Sequence, residues 1–186
     1  MTLDRPVDDL RRMLRRALSE LPTVTGFLES LTGEPLVADV MSQGPAPSDP
    51  EDGLAVPPDR TVIRRIARLR GQGGTPYVYA DTAFVPGRLP GGARRRLAHG
   101  DDPIGRVLVD EGLEPVRLPA LGEAPWRRLA PAEPEATDAV VWRRAYRLAL
   151  GGRPVFAIRE WFLRPVLDAL ADSSRVGDGR PRSSTP

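Results

Sequence analysis

The chain has 186 residues, with 27 basic and 25 acidic side chains and a formal charge of +2, a length that favours one folded domain. It contains no cysteine, no lysine and a single histidine, His99, which excludes disulfides, thiolate nucleophiles, Schiff-base chemistry and multi-histidine metal sites. No apolar run reaches the roughly 20 residues of a membrane helix, and the N-terminus lacks the apolar stretch of a secretory signal. We therefore expect a cytoplasmic protein without membrane association.

The first sixty residues predict two helices, one strand and a loop. Leucines that recur on one face predict an amphipathic helix over residues 3–21. A short second helix is expected over 26–31 and a strand over 36–41. The segment 42–59 is rich in Pro, Asp, Ser and Gly, which predicts a mobile loop. This loop is either a lid over a site or a plain surface excursion.

The middle of the chain has the clearest strand pattern. Residues 61–69 and 76–85 are predicted as the two strands of a hairpin, joined by a glycine-rich turn at 70–75. Two short helices are expected next, over 93–99 and 102–110. Because the glycine-rich turn joins antiparallel strands, it is not interpreted as a nucleotide-binding loop.

The last third of the chain predicts a second hairpin. A strand over 116–121 and an irregular stretch over 123–138 precede paired strands at 140–150 and 154–163. The polar tail, 173–186, is predicted to be disordered. Strands joined by tight turns predict an antiparallel sheet with helices on one face, so we expect a single α+β domain over 1–172.

One acidic residue, Glu160, is predicted to lie on an apolar face of the last strand. Alternation places Glu160 on the same face as Phe156, Ile158 and Phe162. A buried carboxylate is costly without a partner or a function, and burial raises a carboxyl pKa towards the range used in acid–base catalysis. Glu160 is therefore a candidate catalytic residue, and the alternative is a sheet-edge glutamate paired with an arginine.

Arg64 is a second charged residue inside a predicted strand. Alternation places Arg64 and Ile66 on one face and Arg65 on the other. An inward Arg64 is suited to bidentate binding of a substrate carboxylate. A structural ion pair is the equally acceptable alternative.

The segment Asp102-Pro103-Ile104-Gly105-Arg106 has the sequence of a helix start. Free backbone N–H groups at such a start can bind an anion, and Gly105 allows close approach of a ligand. Because many helices begin with Asp-Pro, this signal is weak when taken alone. His99, at the end of the preceding helix, is interpreted as a capping or surface residue.

The arginines at 11, 12, 15 and 16 cluster on and beside the polar face of the first helix. A solvated helix face explains such a cluster, and contact with an anion or nucleic acid is the alternative. Basic and acidic residues are interspersed along the chain, and the aromatic platform of single-strand binders is missing here. Nucleic-acid binding is therefore not favoured.

Taken together, these features occur in the same order, with compatible spacing, in the chorismate lyase family, which the chain resembles over residues 25–165. The shared motifs are Ile63-Arg64-Arg65-Ile66, Pro103-Ile104-Gly105-Arg106, Trp142-Arg143-Arg144, Gly152-Arg153-Pro154, Glu160-Trp161-Phe162-Leu163 and the short segment Leu28-Glu29-Ser30-Leu31-Thr32. The family commonly has Arg-Thr before the proline that ends its first hairpin, whereas this chain has Asp81-Thr82.

The resemblance implies a six-stranded antiparallel sheet with flanking helices and an internal ligand site. It also implies conversion of chorismate to 4-hydroxybenzoate and pyruvate without a cofactor or a metal. Chorismate, or a related aromatic or cyclohexadiene acid, is therefore the expected small-molecule partner, and the protein is expected to be a monomer or a dimer.

The resemblance also assigns roles to individual residues. Arg64 would hold the ring carboxylate, with help from the main chain at Leu31. Glu160 would contact the ring hydroxyl and is our candidate base. The remaining candidates for substrate binding are Ile104, through its backbone N–H, Gly105, and Arg106, Arg143 or Arg144, for the enolpyruvyl carboxylate. Alternation allows at most one of Arg143 and Arg144 to point inward.

A non-catalytic reading is the alternative. The same fold serves as the small-molecule sensing domain of many bacterial transcription regulators, and Phe84-Val85-Pro86 also suits that family. Such domains normally follow a helix-turn-helix domain, and the residues before Thr61 have no convincing one, since the short second helix is weak and a Pro-rich loop follows. A stand-alone domain that binds an aromatic acid is thus the second hypothesis.

Overall fold

A computed structural model of the chain describes residues 7–20, 23–119 and 140–177. Five helices and six strands lie in these ranges, in the order α1 (Val7–Glu20), α2 (Val24–Thr32), β1 (Leu36–Pro47), β2 (Thr61–Gly71), β3 (Pro76–Phe84), α3 (Gly91–His99), α4 (Ile104–Asp110), β4 (Val116–Pro119), β5 (Val140–Leu150), β6 (Arg153–Leu163) and α5 (Arg164–Gly177).

The six strands form one antiparallel sheet in the order β1-β2-β3-β6-β5-β4. Both predicted hairpins, β2–β3 and β5–β6, are present, and they are joined because β3 pairs with β6. The predicted α+β fold with a six-stranded antiparallel sheet is confirmed.

The helices pack on one face of the sheet in two groups. Helices α1, α2 and α5 enclose a core that includes Leu14, Val78 and Phe162. Helices α3 and α4 enclose a second core that includes Leu97 and Phe156. Each core removes large apolar side chains from water, which is the main favourable contribution to folding.

The opposite face of the sheet is partly covered by the segment between β1 and β2. Leu54, from this segment, is buried against Val62, Ala83 and Ala157. Asp52, which precedes it, pairs with Arg159 of β6. This segment, residues 48–60, therefore lies on the face away from α1–α5.

Two boundaries differ from the sequence predictions. Residues 42–47, predicted as the start of a loop, continue β1 to Pro47. Their two prolines are tolerated because β1 is an edge strand, where a missing N–H costs no ladder hydrogen bond. Residues 164–177 form α5, which was not predicted, so helix occupies 173–177 where a disordered tail was expected. The mobility expected for 42–59 stays a prediction.

The other predicted elements lie close to the observed ones. In α1 the leucines at 10, 14 and 18 are buried, as the amphipathic pattern predicts. The predictions for residues 3–6, 21, 120–121, 123–138 and 178–186 fall outside the described residues. Within the described ranges, no helix is long and apolar enough to span a membrane.

Candidate functional site

A cavity of about 60 Å³ lies between the two helix groups and the sheet. Its lining combines side chains from the middle of the sheet with the beginnings of α2 and α4. The residues that line the cavity include polar and charged side chains of the sheet and the first residues of α4: Arg65, Thr82, Tyr146, Glu160, Ile104 and Gly105. The starts of the two helices are brought together because α2 and α4 pack against each other.

Arg65 is the buried cation of the cavity lining. It is 2% exposed, and its Nη2 donates to the carbonyl of Asp102 at 2.9 Å. Its Nη1 is also buried and has no hydrogen-bond partner among the described residues. Burial lowers the pKa of Arg65, but an arginine stays charged at neutral pH because its ordinary pKa is so high. A buried cationic donor without a partner is suited to an anionic ligand.

The prediction that Arg64 points inward is wrong. Arg64 lies on the opposite face of β2, where its Nε and Nη2 donate to the two carboxylate oxygens of Asp81 at 2.9 and 2.5 Å. Asp81 is 1% exposed, and Nη1 of Arg159 also lies 3.8 Å from its Oδ2. The predicted alternation of Arg64 and Arg65 is correct, but the helices cover the face of Arg65 and Ala67. Arg64 therefore forms the structural ion pair that was its alternative reading.

Glu160 lies on the cavity side of β6, as the alternation predicts. It is 5% exposed and receives a hydrogen bond on each carboxylate oxygen. Arg144 Nε donates to Oε2 at 2.5 Å, and the Tyr146 hydroxyl donates to Oε1 at 3.0 Å. These two donors compensate the burial of the carboxylate.

Three aromatic rings surround the Arg144 guanidinium. Its Cζ lies 4.6 Å from the centre of the Tyr146 ring, 5.5 Å from that of Phe162 and 6.0 Å from that of Trp142. Burial has the largest single effect and would lower the pKa of Arg144, but the charges and hydrogen bonds of Glu160 and Tyr146 together outweigh it, and the pKa is raised. Arg143, one residue earlier, is exposed. Only one of this pair points inward, as the alternation requires.

The start of α4 packs closely on the start of α2. A Cβ at Gly105 would lie 2.9 Å from Thr23 Cβ, and no side-chain rotation can relieve this contact because the position of a Cβ is fixed by the backbone. Thr23 caps α2 by accepting a hydrogen bond from the backbone N–H of Gly26 at 3.1 Å. Ile104 and Gly105 therefore line the cavity because a glycine allows this contact.

Two further predicted residues lie elsewhere. Leu31, near the end of α2, packs against the core under α1 and α5 and does not line the cavity. α2 reaches the cavity with its first residues instead. Arg106 turns away from the cavity and pairs with Glu29 of α2, which also accepts from the backbone N–H of Leu36 at 2.9 Å. These assignments came from the resemblance, and the packing of α2 on α4 explains both differences.

Arg65 and Tyr146 are the site residues that the sequence analysis missed. Arg65 was missed because alternation separates the two faces of β2 but does not show which of them the helices cover. Tyr146 could have been found from the alternation pattern, because it lies two residues after Arg144 and on the same face of β5, the strand that pairs with β6 and its Glu160. In the described part of the chain, no group of three acidic or histidine side chains is arranged to hold a metal ion.

The cavity places a cation and a carboxylate on either side of an apolar floor. Arg65 is on β2 and Glu160 on β6, with β3 between them, so the two strands are about 10 Å apart. The floor between them includes Ala67, Ala80 and Ile158. Such a site suits a small ring that bears a carboxylate at one end and a hydroxyl at the other.

Solved structures with a related arrangement include bacterial regulator domains. The ligand-binding domain of a putative GntR-family transcriptional regulator from Bordetella bronchiseptica is 18% identical, with a TM-score of 0.47, over 69% of this chain and 84% of that chain. PhnF from Mycobacterium smegmatis is 13% identical, with a TM-score of 0.49, over 78% of this chain and 65% of that chain. These likenesses are too distant to bear on function.

Proteins found by sequence comparison are more similar to this chain than these solved structures are. No protein-family model matches the chain. Proteins named chorismate pyruvate-lyase from Mycobacterium tuberculosis and Mycobacterium bovis are each 28% identical to it over 173 residues. The match spans 88% of this chain and 85% of each relative. The chain therefore resembles chorismate pyruvate-lyases over most of its length.

Proposed function

We propose that the protein is a chorismate pyruvate-lyase, which converts chorismate to 4-hydroxybenzoate and pyruvate. The observation that carries this proposal is the cavity lined by the buried Arg65 and the buried Glu160, with small and apolar side chains between them. The similarity to proteins named chorismate pyruvate-lyase supports the same reaction.

In the proposed binding mode, Arg65 takes the role that the sequence analysis gave to Arg64. Its unpartnered Nη1 donates to the ring carboxylate of the substrate. The backbone N–H of Ile104, at the first position of α4, is a second donor for the ligand, because the first N–H groups of a helix have no partner within it. The ring then lies on the small side chains at the centre of the sheet.

Glu160 is the proposed base. It removes the proton from the ring carbon that bears the hydroxyl, and the electrons of that C–H bond form the new ring double bond. The bond from the neighbouring carbon to the enolpyruvyl oxygen breaks, and the released enolate takes up a proton to become pyruvate. Because the product ring is aromatic, the reaction is downhill, and the protein needs mainly to orient the substrate and place the base.

Arg144 is the proposed contact for the enolpyruvyl carboxylate. It lines a neighbouring pocket that shares Tyr146 with the cavity, and it does not line the cavity itself. Its Nε is engaged by Glu160, but its Nη2 has no partner among the described residues. Arg143 is exposed and Arg106 is paired with Glu29. Arg144 is therefore the candidate of the three that combines proximity to Glu160 with a free donor.

The proposal is tested by incubating the purified protein with chorismate and measuring 4-hydroxybenzoate and pyruvate by chromatography. We expect equal amounts of the two products, and a loss of turnover of about 100-fold or more for Glu160→Gln. Glu34→Gln is the matched control, because Glu34 accepts a hydrogen bond from a buried tyrosine, Tyr77, outside the cavity lining. Near-normal turnover by Glu160→Gln would show that Glu160 is not the base.

A binding domain for an aromatic acid is the second candidate function. It is favoured by the two donors that already occupy the oxygens of Glu160, an arrangement that also suits a purely structural carboxylate. In that case the protein binds 4-hydroxybenzoate, as measured by calorimetry, but forms no product from chorismate.

A further inference from the structure

Tyr146 is the cavity residue whose hydroxyl is bonded to the proposed base. We propose that Tyr146 is a positioning residue, which orients the Glu160 carboxylate towards the substrate. This inference rests on the proposed lyase function, and it assigns to the same site a residue that the family motifs do not include.

The position of Tyr146 is set by the pairing of β5 and β6. Arg144 is directly opposite Glu160 in the register, and Tyr146 is opposite Ile158. Arg144 and Tyr146 are thus successive residues on one face of β5, and both reach the same carboxylate. Because both donors stand on a strand in the sheet, Glu160 is oriented without help from a loop.

The surroundings of Tyr146 keep it a donor. Its ring lies between two guanidinium groups, with Arg144 Cζ at 4.6 Å and Arg117 Cζ at 4.9 Å from the ring centre. Burial and the charge of Glu160 raise the pKa of Tyr146 and outweigh the two guanidinium groups, which lower it. The hydroxyl therefore stays protonated and donates to Oε1 of Glu160 at 3.0 Å.

The charged groups around Glu160 come from few elements. Arg144 and Tyr146 face it from β5, and Arg65 of β2 lines the same cavity. The starts of α2 and α4 contribute threonines, apolar residues and Gly105 to the described lining, and no charged side chain. From β4, Arg117 reaches Tyr146 and donates to the carbonyl of Leu18 in α1 at 2.8 Å.

Removing the Tyr146 hydroxyl therefore has a predictable effect on catalysis. The Glu160 carboxylate keeps the hydrogen bond from Arg144 to Oε2 and loses the one to Oε1. A carboxylate held at one oxygen only can turn away from the ring proton, and a small misplacement of a catalytic group lowers the rate. Substrate binding is expected to change little, because the proposed contact for the ring carboxylate is Arg65 of β2.

The test is the separate measurement of kcat and KM for chorismate in the full chain and in Tyr146→Phe. We expect kcat to fall about tenfold and KM to stay within about twofold. Tyr77→Phe is the matched control, because its buried hydroxyl donates to Glu34 at 3.0 Å, and Tyr77 does not line the cavity. That control is expected to leave both constants unchanged.

A second variant guards against misfolding of Tyr146→Phe. Site-specific 3-fluorotyrosine at position 146 keeps the shape of the residue and its hydroxyl donor, so kcat should stay close to the wild-type value. If the wild-type protein is active and Tyr146→Phe keeps the wild-type kcat, Tyr146 acts only in packing and the inference is overturned. If the wild-type protein forms no product, the proposed function itself fails and the inference fails with it.

Discussion

At the scale of single residues, two neighbouring arginines have different surroundings. Arg64 meets a buried carboxylate, Asp81, on the outer face of the sheet. Arg65, on the inner face, has a backbone carbonyl, that of Asp102, for one nitrogen and no described partner for another. The capacity to bind an anion therefore belongs to Arg65, because the charge of Arg64 is already satisfied.

This difference predicts that substitution of Arg65 affects ligand affinity and that substitution of Arg64 affects stability. Arg65→Ala should weaken 4-hydroxybenzoate binding about 10- to 100-fold, because a charge-assisted hydrogen bond to the carboxylate is lost. Arg64→Ala should leave the affinity within about twofold and lower the free energy of unfolding by about 1–2 kcal/mol, since Asp81 loses its bidentate partner. Calorimetry and urea denaturation measure the two quantities. Weaker binding in Arg64→Ala alone would reverse the assignment.

At the scale of elements, the segment 48–60 is held to the outer face of the sheet by arginines. Arg159 donates to Asp52 at 2.6 Å, and Arg147 to the carbonyl of Gly53 at 3.1 Å. Arg88 donates to the carbonyls of Leu54 and Ala55 at 2.5 and 2.9 Å. Because the cavity is on the other face, this segment is not its lid.

Breaking the buried pair of Asp52 and Arg159 should therefore cost stability and leave binding unchanged. Both side chains are less than a tenth exposed, so Asp52→Ala leaves Arg159 buried with its main partner removed. We expect the free energy of unfolding to fall by about 3 kcal/mol in urea denaturation. The affinity for 4-hydroxybenzoate, measured where the variant is folded, should not change. A variant of normal stability and reduced affinity would mean that the segment contributes to the site.

At the scale of the whole molecule, one sheet face carries two helix groups with the cavity between them. The first group depends on α5, whose Val166, Leu167 and Leu170 are buried in the core beneath α1 and α2. α5 begins immediately after β6, so the strand that carries Glu160 is continuous with a helix packed into the core. The helix therefore contributes to the stability of the domain that contains the cavity.

Leu167→Ala should accordingly lower the free energy of unfolding by about 3 kcal/mol, because it deletes buried methyl groups and leaves a void. Val109→Ala is the control, since Val109 is 61% exposed on α4 and should change stability by no more than about 0.5 kcal/mol. Urea denaturation monitored by circular dichroism gives both values. Equal stability for Leu167→Ala and the wild type would contradict the packing of α5.

Much of the architecture follows from local patterns. Alternating apolar residues and glycine-rich turns predict both hairpins, since tight turns make the paired strands antiparallel. The same alternation places Glu160 among apolar neighbours, and the leucine spacing of α1 predicts its buried face. α5 was not predicted, although its leucines and valines recur on one side.

Alternation along a strand determines which residues share a face, and it does so from the sequence alone. It does not determine which face the helices cover, because that depends on the pairing of β3 with β6 and on the packing of α2 and α4. The sequence therefore shows that Arg64 and Arg65 lie on opposite faces of the sheet, but it does not show which of the two faces the cavity. Tyr146 reaches Glu160 only through the register of β5 and β6. The tertiary structure decided these contacts because each joins residues from different elements, whose distance no local pattern contains.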